Sequence, residues 1–357
     1  MAVWSLWAMP PRPKWTLTFE QQGALELAQV GGKGHGLALM AQAGIPVAPG
    51  FIIATPAHRY YLDKTGLGER LRQAMDGIDK NSLEAREALE REVVAWFDHT
   101  PMPDELREAV IQGYGDLSRA LHLPELAVAV RSSATAEDTV GTSFAGEYET
   151  YVGMKTGDEV ELHVRRCWAS AFSARALGYA WKNNIDPLTI HMAIVIQKVV
   201  DARAAGVMFT VSPTTGDRSR IVIEACHGLG LGVVGGDVTP DRFIVAKVEG
   251  QVIDHILGDK HLEYGPDGKA HPVEAARREV FSLSDTEVIA LSKVGKRLER
   301  MRGAAQDIEF AIDRELPAGD NIVLLQCRPV TVTAPKTAST LDKALGQLTA
   351  SVLAAAR

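Results

Sequence analysis

The chain has 357 residues, 46% of them hydrophobic and 23% charged, a balance that excludes disordered, collagenous and coiled-coil polypeptides. At this length about 75% of the unfolded surface is buried on folding, enough for two lobes or two modest domains without staples. Lys and Arg total 38 against 45 Asp and Glu, a net charge of −7, so neither nucleic acid nor an anionic membrane is an expected partner and an anionic ligand needs a local site.

Residues 1–15 form a proline-punctuated arm whose Trp4, Trp7 and Trp15 are suited to packing on the body or on a partner. Met1–Met9 lacks a basic n-region, and no apolar run approaches the roughly 20 residues that span a bilayer. Cys167, Cys226 and Cys327 are widely spaced, without a C-x-x-C pair, which suggests a reducing compartment and a cytoplasmic location. Gly31-Gly32-Lys33-Gly34 is a glycine-rich entry to a short helix ending at Gly44, and Thr55-Pro56 reads as an N-cap followed by proline at the first helical position. Ser82–His99 carries one apolar helical face, and 103–121 repeats it less cleanly. Leu126–Val130 is a strand candidate giving way at Arg131 to a polar loop that runs to Gly146, with a further strand over 147–152. One long helix is predicted over 158–183, then β-rich segments at 191–200, 206–211, 220–225 and 242–255. Ser284-Asp285-Thr286-Glu287 is a capping box opening a helix to about Met301, and 307–313 with 321–330 make a closing hairpin. Residues 331–357 are a Thr-, Ala- and Lys-rich tail.

Four constellations carry chemistry if they surround a polyphosphate. Glycines 31, 32 and 34 permit close backbone approach to an anion and Lys33 adds a point charge, although the P-loop spacing is not met and a structural turn reads the same way. Arg131, ahead of the hydroxyl-rich run Ser132-Ser133-Ala134-Thr135, offers a planar fork and wrapping N–H groups; the alternative is a mobile surface loop. Asp307 and Glu309 share one strand face, as do Gln326 and Arg328 on the next strand. Hard oxygen ligands of this kind suit Mg²⁺ and Arg328 suits a transferring phosphoryl group, but an exposed edge hairpin would show the same alternation. Gln197, beside Lys198 in an apolar strand, is either a satisfied interior amide or a contact for a purine edge.

The order and wording of eight motifs, Gly31-Gly32-Lys33-Gly34, Val47-Ala48-Pro49-Gly50-Phe51, Val130-Arg131-Ser132-Ser133-Ala134, Ser143-Phe144-Ala145-Gly146, Gly206-Val207-Met208-Phe209-Thr210, Gly228-Leu229-Gly230, Thr239-Pro240-Asp241 and Gln326-Cys327-Arg328-Pro329, resemble the nucleotide-binding domain of phosphoenolpyruvate synthase and pyruvate phosphate dikinase over residues 20–332. The resemblance implies an α+β, ATP-grasp fold with ATP between two lobes, here 16–195 and 196–332, with 333–357 as tail or linker. It implies that Lys33 and Arg131 contact phosphates, that Gly146 and Thr150 lie in or beside a phosphate-covering loop, and that Gln197 sits at the adenine end. Glu309 and Gln326 match metal and nucleotide ligands, Asp307 accompanies them, and Arg328 matches the arginine that stabilises phosphoryl transfer. ATP and Mg²⁺ are the implied cofactors. Two departures stand out: Gly34-His35-Gly36 replaces the common Asn-Ala-Ser, and Leu231 replaces a common glutamate.

The resemblance further implies passage of the β-phosphoryl group of ATP to a histidine on a separate phosphohistidine-domain subunit. Thr189-Ile190-His191 echoes that acceptor segment but lacks its preceding glycine pair, so the acceptor is expected on another polypeptide. A separate ATP-binding chain of this length resembles the ATP-binding subunit of phenylphosphate synthase, with phenol as final acceptor. A split phosphoenolpyruvate synthase and a rifampicin-type phosphotransferase stay open. So does a non-catalytic ATP sensor, which would have no use for Arg328.

Overall fold

The computed structural model describes residues 15–135 and 149–330. Its strands fall into two large antiparallel sheets with helices packed on them, the α+β class expected. The first sheet has strand order β1-β2-β5-β3-β4, built from β1 (Thr16–Thr18), β2 (Gly50–Ile53), β3 (Val128–Ala134), β4 (Thr150–Met154) and β5 (Met192–Lys198). Its central strands are apolar on both faces, and period-two alternation divides them. Phe51, Ile53, Val130, Ile194 and Ile196 join one core, while Ile52, Ala193 and Val195 join another.

The first core is closed by the helices α2 (Thr55–Thr65), α3 (Leu67–Asp76), α4 (Leu83–His99), α5 (Asp104–Leu121), α6 (Gly157–Ala169) and α7 (Ala174–Lys182). The second is shared by α1 (Leu27–Gln42), the opposite face of the first sheet, and the second sheet. That sheet has the order β13-β12-β6-β7-β8-β9, from β6 (Ala202–Phe209), β7 (Arg220–His227), β8 (Asp241–Ala246), β9 (Gln251–Ile256), β12 (Gln306–Asp313) and β13 (Ile322–Pro329). β10 (Leu262–Tyr264) and β11 (Ala270–Pro272) form a small ribbon, with the short helices α8 (Leu231–Gly235) and α9 (Ala275–Arg278) nearby in sequence, and α10 (Asp285–Arg302) packs its Val288, Leu291 and Leu298 into the second core. The chain leaves the first sheet at Lys198 and enters the second at Ala202, so residues 195 and 196 both lie inside β5.

Of the helix ends expected from capping chemistry, one is found as read and two differ. Ser284 and Glu287 form the capping box that opens α10, and Gly303 ends that helix in the left-handed conformation. The helix foreseen over 158–183 is two helices: Ser173 caps α7 by accepting the Ala176 N–H, after a single tight turn over Ser170–Phe172. Thr55 is not an N-cap but lies within α2, and its hydroxyl donates to the Ala28 carbonyl of α1 at 2.8 Å. Arg131, Ser132 and Ser133 belong to a strand rather than a loop, because β3 pairs with β5 as far as Ala134 opposite Met192. Trp15 is buried, with its ring centroid 4.7 Å from that of Tyr60; Trp4, Trp7 and the 331–357 tail lie outside the described residues. No described helix is long and apolar enough to cross a membrane.

Candidate functional site

Between the two sheets lies a cavity of about 410 Å³, within the range of small-molecule sites. Lys33, Arg131, Thr150, Gln197, Glu309, Gln326 and Arg328 all line it. Seven of the residues singled out in the sequence, contributed by α1, β3, β4, β5, β12 and β13, therefore meet at one place. Asp307 adjoins them through Arg328, and Gly146 lies outside the described residues.

Arg131 is the hub. Its Nη2 donates to Glu309 Oε2 at 2.6 Å and to Gln326 Oε1 at 3.1 Å, while its Nη1 donates to Gln197 Oε1 at 3.2 Å and to the Leu325 carbonyl at 2.9 Å. The guanidinium thus has four acceptors, Gln197 in its own sheet and three in the second that join the two sheets, a task its planar fork suits and an ammonium does not. The Leu325 carbonyl is available because β12 and β13 slip register there: Glu309 faces Gln326 and Phe310 faces Leu324, leaving Leu325 with no opposite number. A β-bulge of this kind re-aims a backbone group out of the ladder, here toward Arg131.

The hairpin alternation places its polar face in the cavity rather than in open solvent. Asp307 stands opposite Arg328 and Glu309 opposite Gln326. The first pair is a salt bridge, Arg328 Nε to Asp307 Oδ2 at 2.9 Å, so Asp307 orients the arginine. Burial pushes the Glu309 carboxyl up, but the charges of Arg131, Lys33 and Arg328 outweigh it, and the net shift is below the usual glutamate range. Glu309 Oε2 and Gln326 Oε1 converge on one cationic nitrogen, which is the donor chemistry that Mg²⁺ requires. Among the described residues no group of three or more His, Cys, Asp or Glu side chains is placed to hold a metal, so a cation here would take its remaining ligands from a bound phosphate and water.

Gln197 does not present its amide to the cavity alone. Its oxygen accepts from Arg131 and its nitrogen donates to the Ala48 carbonyl at 3.3 Å, so it buttresses Arg131 from beneath. Apart from Lys198, the remainder of the wall carries no polar side chain: Ala129 and Val199 contribute from one side, Leu229, Leu231 and Leu325 from the other. Lys198 borders this apolar end with its ammonium 2.6 Å from Glu315 Oε2. Among the residues that the sequence left unassigned, Leu325 had no signal at all, since a bulge depends on the pairing of two strands. Leu229 was visible only as part of a glycine-flanked triplet.

Residues 27–347 match the profile of the pyruvate phosphate dikinase AMP/ATP-binding domain. The chain is 40% identical over 339 residues to a phosphoenolpyruvate synthase of Aeropyrum pernix, covering 87% of this chain and 41% of that protein. It is 37% identical over 332 residues to a probable phosphoenolpyruvate synthase of Methanothermobacter thermautotrophicus, covering 92% of this chain and 47% of the relative. To a rifampicin phosphotransferase of a Streptomyces species it is 36% identical over 317 residues, 87% of this chain and 35% of that protein. The chain thus spans less than half the length of each of these relatives. Two sheets facing across a cavity, with cationic, amide and carboxylate groups brought together on its wall, accompany a match over most of the sequence, and the chain belongs to the pyruvate phosphate dikinase AMP/ATP-binding domain family.

Proposed function

We propose that this chain is the ATP-binding part of a phosphoenolpyruvate-synthase-like phosphotransferase, with the two sheets as the two lobes of an ATP-grasp fold. The observation that carries the proposal is the convergence of Lys33, Arg131, Glu309, Gln326 and Arg328 on one cavity that also has an apolar end. The adenine ring packs between Val199 on one side and Leu229 and Leu231 on the other, leaving the triphosphate over Lys33 and Arg131. Glu309 and Gln326 would hold Mg²⁺, which supplies charge neutralisation on the phosphates. Arg328, its fork fixed by Asp307, faces the phosphoryl group in transfer, where positioning and charge are most of the catalysis. Thr150 stands opposite Arg131 in the β3–β4 pairing, at the phosphate end of the cavity.

The β-phosphoryl acceptor is a histidine carried by another domain or chain: AMP leaves as the histidine nitrogen takes the β-phosphoryl group, and water takes the γ-phosphoryl group as inorganic phosphate. Among the described residues no histidine lines the cavity, and His191 is held 2.8 Å from Arg59 Nη2. Phenol, by resemblance to the phenylphosphate synthase subunit, is the final acceptor we favour; the named relatives support pyruvate or rifampicin as the alternatives. Incubation with ATP labelled at the β-phosphorus and candidate histidine-bearing partners tests the scheme. Acid-labile label on the partner together with AMP formation is the expected result, and label on no protein with every candidate would overturn it.

A further inference from the structure

Ser133 touches nothing in the cavity, yet it is fully buried at the junction of β3 and α1. Helix α1 leaves helical geometry at Gly31, with φ 65° and ψ 180°, so Gly32, Lys33 and Gly34 open a new first turn, the part of a helix whose amides look outside it for acceptors. Gly31 stands where that turn would carry its N-cap and has no side chain to provide one. The cap arrives from the neighbouring strand: Ser133 Oγ accepts the Gly34 N–H at 3.0 Å and donates its own proton to the Val30 carbonyl at 2.7 Å. Glycine at 31 makes the insertion possible, since a Cβ there would lie 2.0 Å from the Ser133 carbonyl oxygen and 2.6 Å from its Oγ. Ser133 is two residues beyond Arg131 on β3, and Gly34 adjoins Lys33. A single hydroxyl therefore ties the turn that carries the lysine to the strand that carries the arginine.

We propose that Ser133 is a positioning residue for nucleotide phosphate, an N-cap supplied across the fold that sets Lys33 relative to Arg131. The proposal rests on Lys33 and Arg131 gripping the phosphates as described above. Val30 and Gly34 are four residues apart, the spacing of an ordinary helical hydrogen bond. Once the hydroxyl is gone they can pair with each other, which heals the helix while drawing the Lys33 turn away from Arg131. The signature is lost affinity with little lost stability.

Calorimetric titration of the full chain with Mg-ATP, on the native protein, Ser133→Ala, Lys33→Ala and the double variant, tests this. Each single substitution is expected to weaken binding about tenfold, and the double variant is expected to bind within about twofold of Lys33→Ala, because Ser133 acts through the lysine. Native affinity in Ser133→Ala beside weakened Lys33→Ala would overturn the positioning role. So would a double variant weaker than Lys33→Ala by the full Ser133→Ala factor, which marks a general effect on the fold. Native affinity in Lys33→Ala would instead fault the phosphate assignment itself and remove the role with it. Should Ser133→Ala not fold, amide exchange in the native chain decides: a protected Gly34 N–H is expected, and exchange at the rate of an open amide overturns the cap.

Discussion

Replacing Arg131 with glutamine tests the hub of the site, because the shorter amide side chain keeps polarity but removes the charge and most of the fork. Arg131 and Glu309 have side chains only 11% and 20% exposed, so in Arg131→Gln the Glu309 side chain would be left as a largely buried carboxylate without its nearest counter-charge. Removing one partner of a buried pair costs about 3–5 kcal/mol, and the residual exposure of this one points to the lower end, about 3 kcal/mol. The pH dependence supplies a second readout. In the native chain Glu309 is held below the usual range, so its stabilisation is present above the unfolded-state pKa and is lost as pH falls through the lowered folded value. In Arg131→Gln burial dominates and pushes the carboxyl above the unfolded value. The variant is then destabilised most at neutral pH and recovers part of the difference as the medium is acidified toward pH ~4. Urea unfolding followed by tryptophan fluorescence at a series of pH values measures both effects. A variant within about 0.5 kcal/mol of native at pH 7, the scatter of a surface substitution, with a parallel acid limb, would refute the claim that Arg131 neutralises Glu309.

Three further outcomes follow from the same geometry. Arg328→Ala is expected to keep Mg-ATP affinity within about tenfold while slowing partner phosphorylation by about 10³ or more, the pattern of a group that acts in the transition state; near-normal transfer in single-turnover assays would remove Arg328 from that role. Glu309→Ala is expected to weaken ATP binding in the presence of Mg²⁺ much more than in EDTA, and an unchanged Mg²⁺ dependence in calorimetric titrations would show that the metal is held elsewhere. Asp241→Ala strands Lys260, which is fully buried and 2.6 Å from the Asp241 carboxylate, and should cost about 3–5 kcal/mol in urea unfolding; a loss under about 1 kcal/mol would show that the pair is not a structural tie.

What the sequence disclosed and what it withheld divide along physical lines. The period-two placement of Asp307, Glu309, Gln326 and Arg328 foretold two polar faces on neighbouring strands, and the register then paired Asp307 with Arg328 and Glu309 with Gln326. Which carboxylate would orient an arginine and which would face a cation could not be read from alternation, because it depends on Arg131, a residue 178 positions from Glu309 in the sequence. Ser133 stood inside a motif and looked like loop, since the strand partner that makes it β-structure and the helix turn that it caps are both remote in sequence. Asp241 was visible only as a motif letter. Its carboxylate accepts the Gly258 and Ser282 N–H groups as well as the Lys260 ammonium, contacts that exist only once the 258–282 segment has folded over it. The break between α6 and α7 leaves no trace in the apolar pattern, because Phe172 keeps that pattern running through the turn.

Photolabelling of the full chain with 8-azido-ATP and Mg²⁺, followed by peptide mapping, tests most directly whether this cavity is the nucleotide site. The nucleotide assignment places adducts that excess ATP suppresses on the peptides containing Val199 or Leu229–Leu231. Suppressible labelling confined to another cavity, such as the one bordered by Arg72, Lys80 and Trp181, would contradict it.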